Sequence, residues 1–287
     1  MPQQKRIAAI HDISCFGKCS LTVALPILSA AGVEASVIPT AVLSTHTGGF
    51  AGFTYRDLSE DILPIAEHWQ GLGLAFDAIY TGFLGSFAQI DIVSEVFDRL
   101  KSPDTLILVD PVMADNGVLY KTFPKNFPEG MKKLCARADV IVPNITEASL
   151  LLGIPYREGP YTREYIRGIL EGLCALGPRR AVLTGVYYDE SCLGAAVYDR
   201  ETGAFHEAFA QKISGIYHGT GDVFASALLA GLMSGLDLTG AAQIAADFTA
   251  KSIARTRAAG TDVRFGVNFE AGLLDLAMRL RAGKTGE

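Results

Sequence analysis

Short apolar runs alternate with longer stretches whose apolar positions recur at helical spacing, and this alternation extends along the whole chain. Ile7-Ala8-Ala9-Ile10 opens the series as a strand. The spacing predicts a helix from about Ser20 to Ala31, closed by Gly32, with Val33 to Pro39 returning as a second strand. Further strands are predicted at Ala78-Ile79-Tyr80, Leu106 to Asp110, Val140-Ile141-Val142, Ala181 to Thr184 and Leu193 to Tyr198. Helices fit between them at about Gln89 to Leu100, Glu147 to Leu152, Thr162 to Leu176 and Leu238 to Arg257. Near-continuous apolar strands separated by helices are the pattern of a parallel sheet covered on both faces. No Ser/Pro/Gly-rich linker and no repeat interrupts it. Residues 1–287 are therefore expected to form one α/β domain, a three-layer αβα arrangement with a mostly parallel central sheet and no separate lid domain.

Composition removes several function classes. The net charge is −6 and no basic cluster occurs, so there is no electrostatic footprint for nucleic acid, and an anionic ligand has to be held by local geometry. No apolar run is long enough to cross a bilayer and no signal peptide precedes Ile7, so a soluble, cytoplasmic protein without a membrane partner is expected. The five cysteines, Cys15, Cys19, Cys135, Cys174 and Cys192, are odd in number and scattered, which argues for reduced thiols. Cys15 and Cys19 have the separation of a metal pair, but no second Cys or His pair completes a tetrahedral set.

The chemistry concentrates at Gly219-Thr220-Gly221-Asp222, which stands at the entrance of the apolar run Val223 to Leu232. Two glycines at a helix start leave backbone N–H groups free to cradle an anion. Asp222 would accept the proton of a hydroxyl attacking a phosphate held there. The competing reading is an acidic first-turn residue that only complements the helix dipole.

Other candidates follow strand ends, where ligands bind in open α/β sheets. The first strand leads into His11-Asp12-Ile13-Ser14, and the second, a few residues on, into Ser44-Thr45-His46-Thr47-Gly48. Asp110 precedes Pro111, and Asp115 stands in an Asp-Asn-Gly turn five residues on. This pair suits magnesium and nucleotide phosphates, while turn formation alone also accounts for it. Pro143-Asn144-Ile145-Thr146-Glu147 brings a third carboxylate, for which a capping box between Asn144 and Glu147 is the local alternative. Leu183-Thr184-Gly185 adds a hydroxyl at a fourth strand end.

In this order and approximate spacing, Ser44 to Gly48, Asp110-Pro111-Val112-Met113, Pro143 to Ala148 and Gly219 to Asp222 resemble the pyridoxal kinases of the ribokinase-like superfamily. The resemblance spans nearly the whole chain. It implies ATP-dependent phosphorylation of the 5′-hydroxymethyl group of pyridoxal, pyridoxine or pyridoxamine. Asp222 then resembles the base, and Gly219, Thr220 and Gly221 the anion hole for the transferring phosphoryl group. His11, Ser14, Thr45, His46, Thr47 and Phe83 resemble the substrate pocket. Asp115, Asn144, Thr184 and Gly185, with Thr220 and Gly221, match nucleotide contacts, and Tyr120 lies where a mobile loop covers the site. Asp110 and Glu147 match the positions that manage Mg2+ and a monovalent cation, K+ or Na+. A homodimer is implied as well.

Three departures bear on substrate and cation. Val142 stands where relatives often carry threonine, Phe83 replaces a tyrosine after Thr81-Gly82, and the opening His11 to Cys15 partly resembles hydroxymethylpyrimidine kinases. Those thiamine-pathway kinases are the alternative within the enzyme class, although they often carry cysteine at the position of Asp222. A sugar or nucleoside kinase would carry an early β-lid insertion absent here. A non-catalytic B6-binding protein is the alternative outside the class, and the carboxylates Asp222, Asp110 and Glu147 speak against it.

Overall fold

The computed structural model describes residues 4–283. In chain order the elements are β1 (Arg6–Ser14), α1 (Leu21–Ala30), β2 (Glu34–Leu43), β3 (Tyr55–Asp57), α2 (Ser59–Gly71), β4 (Ala78–Thr81), α3 (Phe87–Leu100), β5 (Leu106–Val109), β6 (Ala114–Asp115), β7 (Val118–Leu119), α4 (Phe127–Cys135), β8 (Val140–Ile141), α5 (Ile145–Leu152), α6 (Arg163–Ala175), β9 (Arg180–Val186), β10 (Cys192–Asp199), β11 (Ala204–Gln211), α7 (Thr220–Met233), α8 (Leu238–Ala259) and α9 (Leu273–Ala282). Nine strands form one sheet in the order β11-β10-β9-β8-β5-β4-β1-β2-β3, and β6 and β7 make a separate hairpin. The six strands from β9 to β2 pair in parallel, while β10, β11 and β3 add antiparallel edges.

Alternate residues of each central strand feed two cores on opposite faces of the sheet. Ile79, Ile107 and Val109 pack on the side of α2 to α6, whereas Ala78, Tyr80 and Leu108 pack on the side of α1, α7, α8 and α9. Helices thus cover both faces, which is the three-layer αβα architecture expected. Helix α7 is apolar on all sides because it lies inside one layer, with Val223 to Gly231 all buried.

Several elements go beyond the sequence reading. Strand β1 runs to Ser14, so His11 to Ser14 lie inside a strand and not in a loop after it. The chain between 59 and 71, between 127 and 135 and between 273 and 282 is helical, and 204 to 211 forms a strand. None of these carries a sequence assignment.

The topology decides where a ligand can sit. From β1 the chain moves outward to β2 and β3, then returns to β4 on the other flank and proceeds to β5, β8 and β9. The order reverses between β1 and β4. At such a switch point the connections diverge from the carboxyl ends and leave a crevice. Helix α7 enters the same edge with its N-terminus.

Candidate active site

A cavity of about 1010 Å3 opens at this edge, bounded by β1, the loop after β2, the β6–β7 hairpin and the start of α7. Its floor is the Gly219–Asp222 turn. Gly219 adopts φ 74°, and a Cβ there would lie 2.0 Å from the Lys18 carbonyl oxygen, so only glycine fits. Gly221 is the reverse case: a Cβ built on it meets nothing within 4 Å, which leaves an open concavity at the first turn of a 14-residue helix. Such a turn presents unpaired N–H groups and a positive dipole end. The cradle fits a phosphoryl group.

Asp222 is partly exposed to the cavity, and its carboxyl is pushed up to about 7, chiefly by burial. The Ser20 backbone amide pulls the other way, while Asp12 adds a like charge. Asp110 is 6% exposed. No hydrogen bond stabilises it, and burial together with Glu147 and Asp222 raises its carboxyl well above the usual range. A buried carboxylate without a side-chain donor, in the field of two others, suits a cation. Among the described residues no three His, Cys, Asp or Glu side chains converge to hold a metal unaided. Magnesium keeps waters and binds through one or two carboxylates plus substrate phosphates, so Asp110 and Glu147 are the residues here that could serve it.

Glu147 is engaged already. Its Oε2 accepts the Asn144 N–H (2.9 Å), Asn144 Oδ1 accepts the Glu147 N–H (2.9 Å), and Glu147 Oε1 accepts the Met113 N–H (3.0 Å). The capping-box alternative therefore describes this helix start, and the same carboxylate ties it to the loop after Asp110. The Asn144 amide is likewise spent, donating to the Ala114 carbonyl (2.8 Å). Thr184 bridges to the Pro143 carbonyl (3.4 Å) and, with Gly185, lines the cavity. Asp115 lies at the hairpin, where Asn116 (φ 49°) and Gly117 (φ 77°) make the turn and Gly117 donates to Thr146 Oγ1 (2.9 Å). Tyr120 and Lys121 follow on the cavity side, and Lys121 is the only lysine or arginine lining it among the described residues.

The predicted substrate residues divide. Ser14, His46, Thr47 and Phe83 line the cavity, whereas His11 and Thr45 do not. His11 is fully buried, packed edge-on against Tyr80 at 4.3 Å, and desolvation lowers its pKa to about 3, which keeps it neutral. The reason is strand alternation: residues 11 and 14, three apart, face opposite sides. Asp12 shares the face of Ser14. The regular period of a strand would have selected Asp12 had the strand been drawn past Ile10. His46 has both nitrogens engaged, Nε2–H donating to the Arg264 carbonyl (2.6 Å) and Nδ1 accepting the Gly48 N–H (3.1 Å). It ties the loop after β2 to the C-terminal segment and lines the cavity. Ser20 and His218 also line the cavity without having been singled out. A serine and a histidine in loops carry no periodic signal.

A family model described as phosphomethylpyrimidine kinase matches residues 25–266. The chain belongs to that family. Its solved relatives include a "putative phosphomethylpyrimidine kinase" from Bacteroides thetaiotaomicron, in an orthorhombic form with pyridoxal, which is 39% identical with a TM-score of 0.91 over 96% of each chain. Pyridoxal kinase from Lactobacillus plantarum is 32% identical over 96% of this chain and 98% of its own, with a TM-score of 0.87. A "putative pyridoxal kinase" from Schizosaccharomyces pombe is 30% identical over 71% of this chain, which spans 61% of that relative's length. Within the family the chain thus groups with the pyridoxal kinases of the ribokinase-like superfamily, as its motifs implied.

Proposed function

We propose that this protein transfers the γ-phosphoryl group of ATP to the 5′-hydroxyl of pyridoxal, pyridoxine or pyridoxamine. The observation that carries the reading is Asp222 beside the open Gly219–Gly221 cradle, a proton acceptor placed next to a phosphate receptor. The relative solved with pyridoxal supports the choice of acceptor. Phosphoryl transfer passes through a loose transition state, so positioning and charge neutralisation supply most of the rate. Asp222 orients the attacking hydroxyl and takes its proton as the oxygen–phosphorus bond forms. The N–H groups of Gly219 to Asp222 meet the charge on the transferring oxygens, each donor contributing about 10²-fold to 10³-fold.

Asp110, with Glu147 behind it, would hold Mg2+, which when bound neutralises phosphate charge. Asp115, Thr184 and Gly185 lie toward the nucleotide phosphates, and Asn144 acts there by holding the loop. Ser14, Thr47 and Phe83 line the ring side, with His46 as a wall. A monovalent cation, a homodimer, a cytoplasmic location and action of residues 1–287 as one kinase domain belong to the same proposal. Among the described residues no helix is long and apolar enough to cross a membrane. The test is ADP release dependent on a B6 alcohol, with pyridoxal 5′-phosphate identified as product. ADP release without an acceptor requirement, or none at all, would overturn the reading. The family model and the opening His11 to Cys15 keep hydroxymethylpyrimidine as the competing acceptor.

A further inference from the structure

Gln89, in the first turn of α3, is a fully buried amide that does not itself line the cavity. Its side chain is spent on other elements. Oε1 accepts the Gly85 N–H (2.8 Å) from the loop after β4, residues 82–86. Nε2 shares its two hydrogens among the Thr40 carbonyl of β2 (2.9 Å), Ser59 Oγ at the start of α2 (3.1 Å) and Asp57 Oδ2 at the end of β3 (3.3 Å). The Thr40 hydroxyl in turn donates to the Phe83 carbonyl (3.4 Å). The loop after β4 also runs close against β3, since a Cβ at Gly85 would lie 2.5 Å from the Tyr55 hydroxyl oxygen. One side chain thus joins this loop to β2 and β3.

The joined elements carry two walls of the cavity. Phe83 stands in the loop after β4, and Leu43, His46, Thr47, Phe50 and Phe53 come from the end of β2 and the segment leading to β3. A buried amide whose oxygen and nitrogen are both engaged specifies one arrangement of the groups it joins. We propose that Gln89 is a positioning residue for the acceptor: it sets the distance between Phe83 and the wall carried by β2 and β3, and so the width of the slot that takes the heteroaromatic ring. An apolar side chain in its place leaves the Gly85 N–H buried without its partner, and the loop shifts to satisfy it. Gln89 acts through Phe83 and needs no contact with the acceptor. This inference rests on the reading of Phe83 and Thr47 as the ring side of the cavity.

A double-mutant cycle on the full chain, read as steady-state KM and kcat for pyridoxal and for ATP, tests it. Gln89→Met keeps the length of the side chain and removes its hydrogen bonds. It is expected to raise KM for pyridoxal about threefold to tenfold, the cost of ordering one loosened wall on binding, with KM for ATP changed less than about twofold. In a Phe83→Ala background the ring that Gln89 places is gone, so the same substitution should change KM for pyridoxal less than about twofold. An equal rise of both KM values, as a general loosening of the fold would give, overturns the proposal. So does an unchanged KM for pyridoxal, or the same rise with and without Phe83. Should Gln89→Met fail to fold, Gln89→Asn decides: its amide is one methylene too short to span Gly85 and Thr40, and the same split between the two KM values is required. If wild type phosphorylates hydroxymethylpyrimidine and not pyridoxal, the acceptor reading fails and the cycle reads the same wall with that alcohol. If no alcohol reacts, the kinase reading fails, and the Kd of pyridoxal from equilibrium dialysis replaces KM. With no binding either, the ring side and this proposal fall together.

Discussion

Replacing Asp222 by asparagine removes the proton acceptor while keeping the side chain's volume. With the carboxyl near 7 in the free protein, about half of the molecules hold a carboxylate at neutral pH and about one in ten at pH 6. Wild-type kcat/KM should therefore fall about tenfold between its plateau and pH 6, with unit slope. Asp222→Asn should lower kcat about 10²-fold to 10⁴-fold and lose this acid limb, while KM for ATP stays within about threefold. The same carboxyl costs stability. Its folded pKa lies above its unfolded value of 3.8, so the folded state binds the extra proton and stability falls as pH rises from about 4 to about 7. Asp222→Asn should consequently raise Tm at pH 8 by at least about 2 °C, since 1 kcal/mol corresponds to about 2–4 °C in a chain of this size. A coupled ADP assay and calorimetry at pH 6, 7 and 8 provide both readouts. A variant with kcat within tenfold of wild type, or one destabilised at pH 8, would refute the reasoning.

Further outcomes follow from single contacts. Glu147→Gln replaces one acceptor of the Asn144 and Met113 N–H groups by a donor, and leaving a buried N–H unpaired should cost about 1–3 kcal/mol, visible as a lowered urea midpoint with unchanged slope. Gly219→Ala must place a methyl against the Lys18 carbonyl at positive φ, and should lower both Tm and kcat, whereas Gly221→Ala should fold normally and lose kcat alone. Lys121→Met removes the sole cationic side chain lining the cavity among the described residues, and should raise KM for ATP by about threefold to tenfold with an unchanged Tm. An unchanged KM would mean that Lys121 does not reach the phosphates.

The parts of this architecture legible in the sequence are those where one physical cause dominates. Ile107 to Val109 and Val140-Ile141 are buried on both faces, so their apolar runs mark parallel strands, and Asp110 and Asn144 stand out as the first polar groups beyond them. Strand β11 was not legible because its edge position tolerates His206 and Glu207 inside the run. Helix α2 carries Pro64, which masked its period. At the site, the sequence indicated the cradle and the carboxylates but not their partners. Glu147 could be read as cap or metal ligand, and only its distance to Met113 shows that it also anchors the loop after Asp110. His11 was misplaced because β1 continues four residues beyond its obvious apolar core, through a register shift near Asp12. Ser20 was invisible, since nothing in its identity announces a φ of 54°.

The central claim is phosphoryl transfer to a B6 alcohol, and a competition assay tests it most directly. Purified protein with ATP and Mg2+ would be offered pyridoxal, pyridoxine, pyridoxamine and hydroxymethylpyrimidine, singly and mixed, with products resolved by mass. The account predicts the 5′-phosphate of at least one B6 vitamer, formed with a higher kcat/KM than hydroxymethylpyrimidine phosphate and lost in Asp222→Asn. Phosphorylation of hydroxymethylpyrimidine with no turnover of the three vitamers would contradict it.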